Sequence, residues 1–539
     1  HNHNRKRPTI SCRPGWVWNK KFMSDVTSFL DALAALHTRG GGGVPDEQAA
    51  ADLFDSTRPV TVARAPGRLD VMGGIADYSG SLVLQMPISE ATLVALQLHP
   101  PGAGGVVRAV SFGGAATGRV PAFEMPLSAL FAGPGSAPTP LADLRARFST
   151  QSEARWAAYV IGVIGVLAHE PEAREALAAC GGLSILVSSA VPEGKGVSSS
   201  AAVEVGTMMA ALGALGIELQ PAERVALLCQ KAENFVVGAP CGVMDQMASA
   251  LGSEAMLLPL LCQPATLRPP VPIPAHLRFW GIDSGVRHSV GGSDYGTVRT
   301  ATFMARAVLR KVLAERNAAA AASPATAMPA VPAEVAAVEH LVAISPSLLA
   351  ELAPCLPDAI LGAHFLGEYA SHGDAATTVD PAATYDLRGC AAHPVHEHFR
   401  VGCFEALLRG SPSEAQLVSL GELMYQSHAS YSAIGLGSEA TDLLVQLVRA
   451  LGPTSGLYGA KITGGGSGGT VCVLGSATDK AAASFQEVLA KYAARSGHAP
   501  YVVSGSSHGA VAFGHIEADL SAGGAQLNSR KRALDRARA

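Results

Sequence analysis

The distribution of apolar and polar residues divides much of the chain into short strands and longer helices. The strands predicted from Val-, Ile- and Leu-rich runs are 60–64, 82–86, 91–96, 183–188 and 278–284. The helices predicted are about 23–36, 153–168, 171–179, 199–215 and 221–237. The Gly- and Pro-rich stretch 101–140 lacks a helical period, which predicts loops and short strands.

Length and composition indicate an ordered protein of more than one domain. The chain has 539 residues, which is too many for one compact core and fits two or three domains. Hydrophobic residues make up 48% and charged residues 16%, a balance typical of globular proteins. The formal net charge of −4 gives no electrostatic basis for binding nucleic acid.

Neither a membrane span nor a disulfide framework is expected. No apolar run approaches the ~20 residues that a transmembrane helix needs. The longest candidate, 159–168, is interrupted by glycine, and we expect a buried helix there. The nine cysteines are odd in number and form no CxxC pair. This pattern favours a reducing compartment, so a cytosolic protein without a membrane partner is expected.

The segment PEGKGVSSSAA at 192–202 combines glycines with serines at the start of a predicted helix. Gly194 and Gly196 let the backbone approach an anion closely, and the free N–H groups of the first helical turn favour negative charge there. It is not a Walker A loop, because no Lys-Ser/Thr pair follows the second glycine. The segment predicts a phosphate-binding loop, although by itself it fits a serine-capped helix about equally well.

A second glycine-rich segment, KITGGGSGGT at 461–470, formally contains the GxGxxG pattern of dinucleotide-binding loops. Such a loop belongs in an opening strand–turn–helix unit with an acidic residue about 20 positions on. Here the segment lies near the C-terminal end and runs into an apparent strand at 470–473. No HRD or DFG motif accompanies it. We therefore expect no dinucleotide-binding role for this segment.

Two further segments, APGRLDVMGGIADY at 65–78 and CGVMDQ at 241–246, complete an ordered set of four. Together they resemble the GHMP kinases, the small-molecule kinase family of galactokinase, homoserine kinase, mevalonate kinase and phosphomevalonate kinase. The resemblance covers about residues 58–515 and is closest to the galactokinase branch, and there to plant-type L-arabinokinases. It implies an α+β fold of two domains, one like ribosomal protein S5 domain 2 and one ferredoxin-like, with the active site between them.

The resemblance also implies the domain boundaries. Residues 1–57 are expected to form an extension or linker, 58–276 the N-terminal domain that binds ATP and sugar, and 277–515 the C-terminal domain. Within the C-terminal domain, the Ala/Pro-rich insertion 317–337 is predicted to be a mobile linker or frayed helix. Residues 516–539, which follow this domain, are predicted to form a basic tail. The plant group carries a glycosyltransferase-like region before the kinase, so fusion to such an upstream domain is a further expectation.

The same resemblance implies roles for individual residues. Asp245 would accept the proton of the attacking hydroxyl, which is a poor nucleophile at neutral pH, and Arg68 would stabilise the transferring phosphoryl charge. Ser199 and Glu233 would bind Mg²⁺, which prefers oxygen ligands. The residues expected to bind ATP are Gly194, Lys195, Gly196, Val197, Ser198, Ser199, Ser200, Gly465 and Gly466. Taken singly, such an aspartate, arginine or glutamate is more often a helix cap, a surface ion pair or an exposed side chain; the ordered set favours the functional roles.

One departure from the galactokinase pattern concerns the sugar. Galactokinases have Gly-Glu-His-Thr-Asp-Tyr where this chain has GGIADY at 73–78, so Asp77, the expected partner of ring hydroxyls, is retained. The Glu-His pair that binds the hydroxymethyl group of galactose is replaced by Gly74 and Ile75. L-Arabinopyranose has the ring stereochemistry of galactose without that group, and a one-carbon difference is worth ~1–3 kcal/mol of discrimination. Gly242 and Tyr295 are the other expected sugar contacts.

The expected activity is ATP- and Mg²⁺-dependent transfer of the γ-phosphate to the anomeric hydroxyl of L-arabinose, giving L-arabinose 1-phosphate. Two alternatives stay open, a galactokinase with an unusual signature and a sensor that binds ATP and sugar without turnover. Retention of Asp245, Arg68 and Glu233 argues against the sensor. The expected partners are therefore ATP and a small-molecule sugar.

Overall fold

The computed structural model describes residues 20–39, 45–113, 119–131, 137–150, 154–287, 293–324, 328–520 and 526–528. The helices are α1 Lys20–Arg39, α2 Pro45–Ala50, α3 Leu141–Ser149, α4 Ala157–Ala168, α5 Pro171–Ala179, α6 Ser199–Leu215, α7 Glu223–Ala232, α8 Met244–Leu251, α9 Ser293–Ala322, α10 Ala333–Ala336, α11 Pro346–Leu352, α12 Gly362–Tyr369, α13 Leu387–Leu408, α14 Glu414–Ala433, α15 Glu439–Leu451, α16 Asp479–Ser496 and α17 Ala510–Phe513. The strands are β1 Val60–Met72, β2 Leu82–Leu98, β3 Val106–Ser111, β4 Ala122–Pro126, β5 Gly182–Ser189, β6 Met256–Leu261, β7 Thr266–Leu267, β8 Val271–Pro272, β9 Leu277–Asp283, β10 Ile360–Leu361, β11 Thr384–Tyr385, β12 Leu457–Ile462, β13 Thr470–Ser476, β14 Val502–Ser504, β15 Ile516–Asp519 and β16 Gln526–Asn528.

The larger sheet is built around two long antiparallel strands, β1 and β2, in the order β16-β15-β1-β2-β5-β3-β4. One end of β2 pairs with β6 and the other with β5, so the two strands predicted at 82–86 and 91–96 are one continuous strand. Strand β1 likewise continues well beyond the predicted end at residue 64. Register shifts between Pro66 and Arg68 and between Asp70 and Met72 accommodate the proline and bend the strand. Motif 65–78 therefore begins inside a strand rather than in a loop.

Helices α4, α6, α7 and α8 form the layer that packs with this sheet in one apolar core. Ile161 of α4, Val205 of α6 and Met247 of α8 are fully buried in the same cluster as Val94 of β2. The predicted buried helix at 159–168 is confirmed as part of α4. Because α6 and α8 pack into the same apolar core, their N-terminal ends are fixed relative to each other.

The second sheet is antiparallel, with the order β12-β13-β9-β14. Numbered along this region of the chain, that order is 2-3-1-4, which is the ferredoxin-like arrangement. The loop between β12 and β13 carries the glycine-rich segment at 463–469, and its predicted strand at 470–473 is confirmed as part of β13. The predicted α+β class is confirmed by this pair of layered sheets.

Two predicted peripheral segments can be compared with the structure. The predicted insertion 317–337 begins inside α9, and Asn317 exchanges two hydrogen bonds of 2.9 Å with the backbone of Val331. The predicted tail begins at residue 516, whereas Ile516–Asp519 forms β15, which pairs with β1. Residues 1–19 and 40–44 of the predicted extension, and residues 521–525 and 529–539 of the predicted tail, lie outside the described residues. None of the described helices is long and apolar enough to cross a membrane.

Candidate functional site

The predicted phosphate-binding segment 192–202 runs into the first turn of α6, which begins at Ser199 as predicted. Ser198 precedes the helix with φ 59°, a left-handed conformation that is uncommon for a non-glycine residue and clusters at functional sites. The backbone carbonyl of Val197 accepts a hydrogen bond of 3.1 Å from the backbone N–H of Arg68. The first N–H groups of α6 have no partner inside the helix, so this end favours an anion.

Asp245 connects the first two motifs. It lies in the first turn of α8, and its Oδ1 accepts a hydrogen bond of 2.9 Å from Arg68 Nε and forms an ion pair with Arg68 Nη2 at 2.7 Å. Its Oδ2 accepts a hydrogen bond of 2.5 Å from Ser198 Oγ. The Arg68 side chain is 3% exposed and that of Asp245 22%, so the carboxylate reaches solvent and the guanidinium does not. A charged acceptor beside a fixed cation is suited to taking a proton from a hydroxyl next to a phosphate.

The Ser198 hydroxyl therefore contacts Asp245, whereas the sequence analysis assigned it to the phosphates. Two other residues of the predicted phosphate-binding loop, Gly196 and Lys195, contact Arg68 and the C-terminal half of the chain respectively. Arg68 Nη1 donates to the carbonyl of Gly196 at 2.6 Å, and the carbonyl of Lys195 accepts from Thr470 Oγ1 at 2.7 Å. The Lys195 ammonium group lies 2.9 Å from Asp283 Oδ2.

The glycine-rich loop after β12 is tied to motif 65–78 by buried polar contacts. Lys461 Nζ lies 2.7 Å from Asp70 Oδ2, and both side chains are fully buried. Thr463 Oγ1 bonds both the backbone N–H and the carbonyl of Asp70, at 2.8 and 3.0 Å. The loop that contains Gly465 and Gly466 is thereby held beside motif 65–78.

Asp77 is buried in the 3₁₀ helix Gly74–Ser79 and faces Gly242. A Cβ atom at position 242 would lie 1.8 Å from Asp77 Oδ2, so only glycine fits this approach. Burial, and then the negative charge of Asp245, raises the pKa of Asp77 to about 7. Asp77, Gly242 and Asp245 are thus brought together, although Asp77 and Asp245 are far apart in sequence.

Tyr295, near the start of α9, lies beside this group. Its ring packs edge-on against Tyr78 with 6.1 Å between centroids. The guanidinium group of Arg299 lies 5.2 Å from the centre of the Tyr78 ring and binds both oxygens of Asp374, at 2.8 and 3.1 Å. Because Arg299 is a cation close enough to lower the pKa of Asp77, it adds a fixed positive charge to this side of the site.

Glu233 is buried at the start of the π-helical turn Glu233–Val237, at the C-terminal end of α7. Burial, and then the charge of Asp245, raises its pKa to about 7, while hydrogen bonds with the Ser200, Cys241 and Gln246 side chains lower it. Among the serines of the predicted loop, Ser200 is the one whose hydroxyl lowers the pKa of Glu233, whereas the sequence analysis paired Glu233 with Ser199. Successive residues of a helix point about 100° apart, so adjacent serines face different neighbours.

Three groups of this site were missed by the sequence analysis. Glu204 of α6 is fully buried, and Gln246 Nε2 donates to Glu204 at 3.1 Å and to Glu233 at 2.6 Å. Burial, and then the charge of Glu233, raises the pKa of Glu204 well above its usual range. Glu204 is the one charged residue of α6, which was a usable signal. Arg299 had no comparable local pattern, nor had Tyr431, whose hydroxyl bonds the backbone of Ile75 and of Gly464.

Comparisons with known proteins agree on the family. The GHMP kinases N terminal domain matches residues 158–253, the galactokinase galactose-binding signature 51–98, and the GHMP kinases C terminal domain 404–495. An L-arabinokinase of Arabidopsis thaliana is 45% identical over 535 residues, covering 92% of this chain and 51% of the relative. The chain therefore spans about half the length of that relative. A galactokinase of Chloroflexus aggregans is 29% identical over 457 residues, covering 83% of this chain and 92% of the relative.

Among solved structures, the Lactococcus lactis galactokinase complexed with galactose is similar, with a TM-score of 0.62 and 20% identity. The similarity covers 90% of this chain and 99% of that protein, and it supports the fold.

Proposed function

The chain belongs to the GHMP kinase family, and we propose from this premise that it transfers the γ-phosphate of ATP to the anomeric hydroxyl of L-arabinose. The observation that carries the proposal is the contact of Asp245 with both Arg68 and Ser198 at the N-terminal end of α6. It places a solvent-reaching carboxylate, a buried cation and a helix N-terminus within one hydrogen-bonded group. Phosphoryl transfer needs these three elements and little covalent chemistry from the protein.

In the proposed reaction, Asp245 accepts the proton of the C1 hydroxyl as the hydroxyl oxygen attacks the γ-phosphorus. The bond from that phosphorus to the bridging oxygen of ADP breaks as the new P–O bond forms. Arg68, held by Gly196 and Asp245, offsets the charge on the transferring group. The first N–H groups of α6 bind the phosphates of ATP. Asp77 accepts hydrogen bonds from ring hydroxyls and fixes the orientation of C1.

The donor set beside α6 fits Mg²⁺. Glu233 supplies a carboxylate and Ser200 a hydroxyl, both oxygen ligands of the type this ion prefers. The raised pKa of Glu233 reflects burial and repulsion by Asp245, and a divalent cation would relieve both. When bound, Mg²⁺ would neutralise charge on the ATP phosphates. We propose Glu233 and Ser200 as its protein contacts, with Ser199 as the alternative hydroxyl.

The choice of L-arabinose rests on residues 74 and 75 and on the 45% identity to the Arabidopsis L-arabinokinase. Gly74 provides no side chain, and Ile75 is apolar and 1% exposed. A hydroxymethyl group directed at these residues would lose water and gain no side-chain hydrogen bond, which costs free energy. The pentose lacks that group.

A galactokinase is the second candidate, because the galactose-binding signature matches residues 51–98. The experiment that tests the proposal is incubation of the protein with ATP, Mg²⁺ and one sugar at a time, with ADP release and ³¹P NMR of the product. We expect turnover with L-arabinose and a phosphate coupled to the anomeric proton. Binding of both ligands without ADP release would contradict the proposal and identify a sensor.

A further inference from the structure

The side chain of Tyr431 lies between the sugar-binding segment and the glycine-rich loop. It comes from α14, in the C-terminal half of the chain, and is fully buried. Its hydroxyl accepts a hydrogen bond of 2.9 Å from the backbone N–H of Ile75 and donates one of 2.9 Å to the carbonyl of Gly464. The single phenol therefore fixes two backbone segments that are distant in sequence.

The Tyr431 hydroxyl also occupies the space that a side chain at position 74 would need. A Cβ atom on Gly74 would lie 1.5 Å from Tyr431 Oη and 2.7 Å from Cζ. Gly74 has φ +43°, which glycine adopts readily and other residues rarely. Tyr431 and any side chain at position 74 are mutually exclusive in this arrangement.

We propose that Tyr431 is a specificity-determining residue that restricts the site to aldopyranoses without an exocyclic carbon; this inference rests on the proposed sugar-kinase function. Tyr431, Ile75 and Tyr295 belong to one apolar cluster. The 3₁₀ helix that carries Ile75 also carries Asp77. The Tyr431 hydroxyl is already engaged with Ile75 and Gly464, so it has no free proton for a substrate. The Tyr431 side chain therefore presents bulk and no hydrogen-bond donor to a hydroxymethyl group.

The test compares Tyr431→Leu with Tyr431→Phe. Each variant is given equal concentrations of L-arabinose and D-galactose, and the product ratio reports the ratio of kcat/KM values. Leucine is shorter than tyrosine, so we expect the kcat/KM for galactose relative to that for L-arabinose to rise by about 10-fold or more, which is within the range of discrimination that one carbon provides in an apolar pocket. Phenylalanine keeps the ring, so we expect a change below about threefold, together with a higher KM because two backbone groups lose their partner.

A second measurement covers the case in which Tyr431→Leu does not fold. Gly74→Ala is compared with Gly216→Ala, a control that also has positive φ but open space around its Cβ. We expect Gly74→Ala to lower the unfolding temperature more than Gly216→Ala, and Tyr431→Phe to recover part of the loss in the double variant. Equal falls for the two alanine variants would contradict the steric exclusion.

The outcomes separate this inference from the proposed function. If the wild-type protein uses galactose better than L-arabinose, the proposed function fails. If it prefers L-arabinose and folded Tyr431→Leu keeps the same ratio, the proposed function stands and the role of Tyr431 is refuted.

Discussion

Replacing Asp245 with asparagine tests the catalytic group most selectively. The amide keeps an acceptor at the position of Oδ1, so the hydrogen bond from Arg68 Nε survives, while the ion pair with Nη2 is lost. At the position of Oδ2 the amide presents a donor, and the Ser198 hydroxyl must turn to accept from it. The geometry is thus largely retained while the base and its charge are lost.

The expected loss has two parts. Removing a general base lowers kcat by about 10²–10⁴-fold, which corresponds to ~3–5.5 kcal/mol in the barrier. Arg68 is 2% exposed and loses its counter-charge, so the variant also loses up to ~3–5 kcal/mol of stability. Loss of the nearby negative charge should in addition lower the pKa values of Asp77 and Glu233.

The assay is coupled ADP release at saturating ATP, with chemical denaturation run in parallel so that kcat is measured on folded protein. Glu405→Gln is the matched control, because Glu405 also forms a hydrogen-bonded ion pair with an arginine, Arg409, at 2.6 and 3.1 Å. That control should keep its kcat within about threefold, because a carboxylate outside the site contributes no proton transfer. A kcat for folded Asp245→Asn equally close to the wild-type value would refute the assignment of the base.

Four further predictions follow from the buried charges. Because ionised Asp77 is the form that accepts from sugar hydroxyls, sugar affinity should rise as pH increases through about 7 and become flat with pH in Asp77→Asn, measured by calorimetry. The same raised pKa also affects folding: without sugar, Asp77 stays protonated up to about pH 7 in the native protein, whereas the unfolded chain releases this proton from about pH 4 upward. The free energy of unfolding of the wild type should therefore decrease as pH rises from about 4 to 7, and this contribution should be absent in Asp77→Asn. Glu233→Gln should weaken Mg²⁺ binding, read from Mg²⁺ titration of fluorescent-nucleotide binding, and an unchanged titration would remove Glu233 from the metal site. Lys461→Met should cost ~3–5 kcal/mol by leaving Asp70 buried and charged, and Lys461→Met with Asp70→Asn should recover part of this in denaturant unfolding.

Features that depend only on residues close together in the sequence could be predicted. Helix α6 begins and ends where the glycine turn and the apolar pattern place it, at 199 and 215. Asp245 falls in the first turn of α8 because Gly238 and Pro240 end the preceding helical stretch. These signals act over a few residues, so one sequence is enough to read them.

Features that depend on distant partners could not be predicted. Lys461 was visible in a glycine-rich segment, but its partner Asp70 lies 391 positions away. The contact of Tyr431 with Ile75 spans 356 positions and involves a backbone N–H, which leaves no side-chain pattern. The pairing of Glu233 with Ser200 depends on the rotation of α6 against α7, which a serine run does not specify. Strand β2 continues through Pro87 because β1 pairs with it on one side and β5 and β6 pair with it on the other.

The most direct test of the central claim is a competition between L-arabinose and D-galactose at equal concentration, with wild-type protein, ATP and Mg²⁺. The ratio of the two sugar 1-phosphates, quantified by mass spectrometry early in the reaction, equals the ratio of the kcat/KM values. The account predicts an excess of L-arabinose 1-phosphate of about 10-fold or more, the value of ~1.4 kcal/mol of discrimination. An excess of galactose 1-phosphate would contradict it.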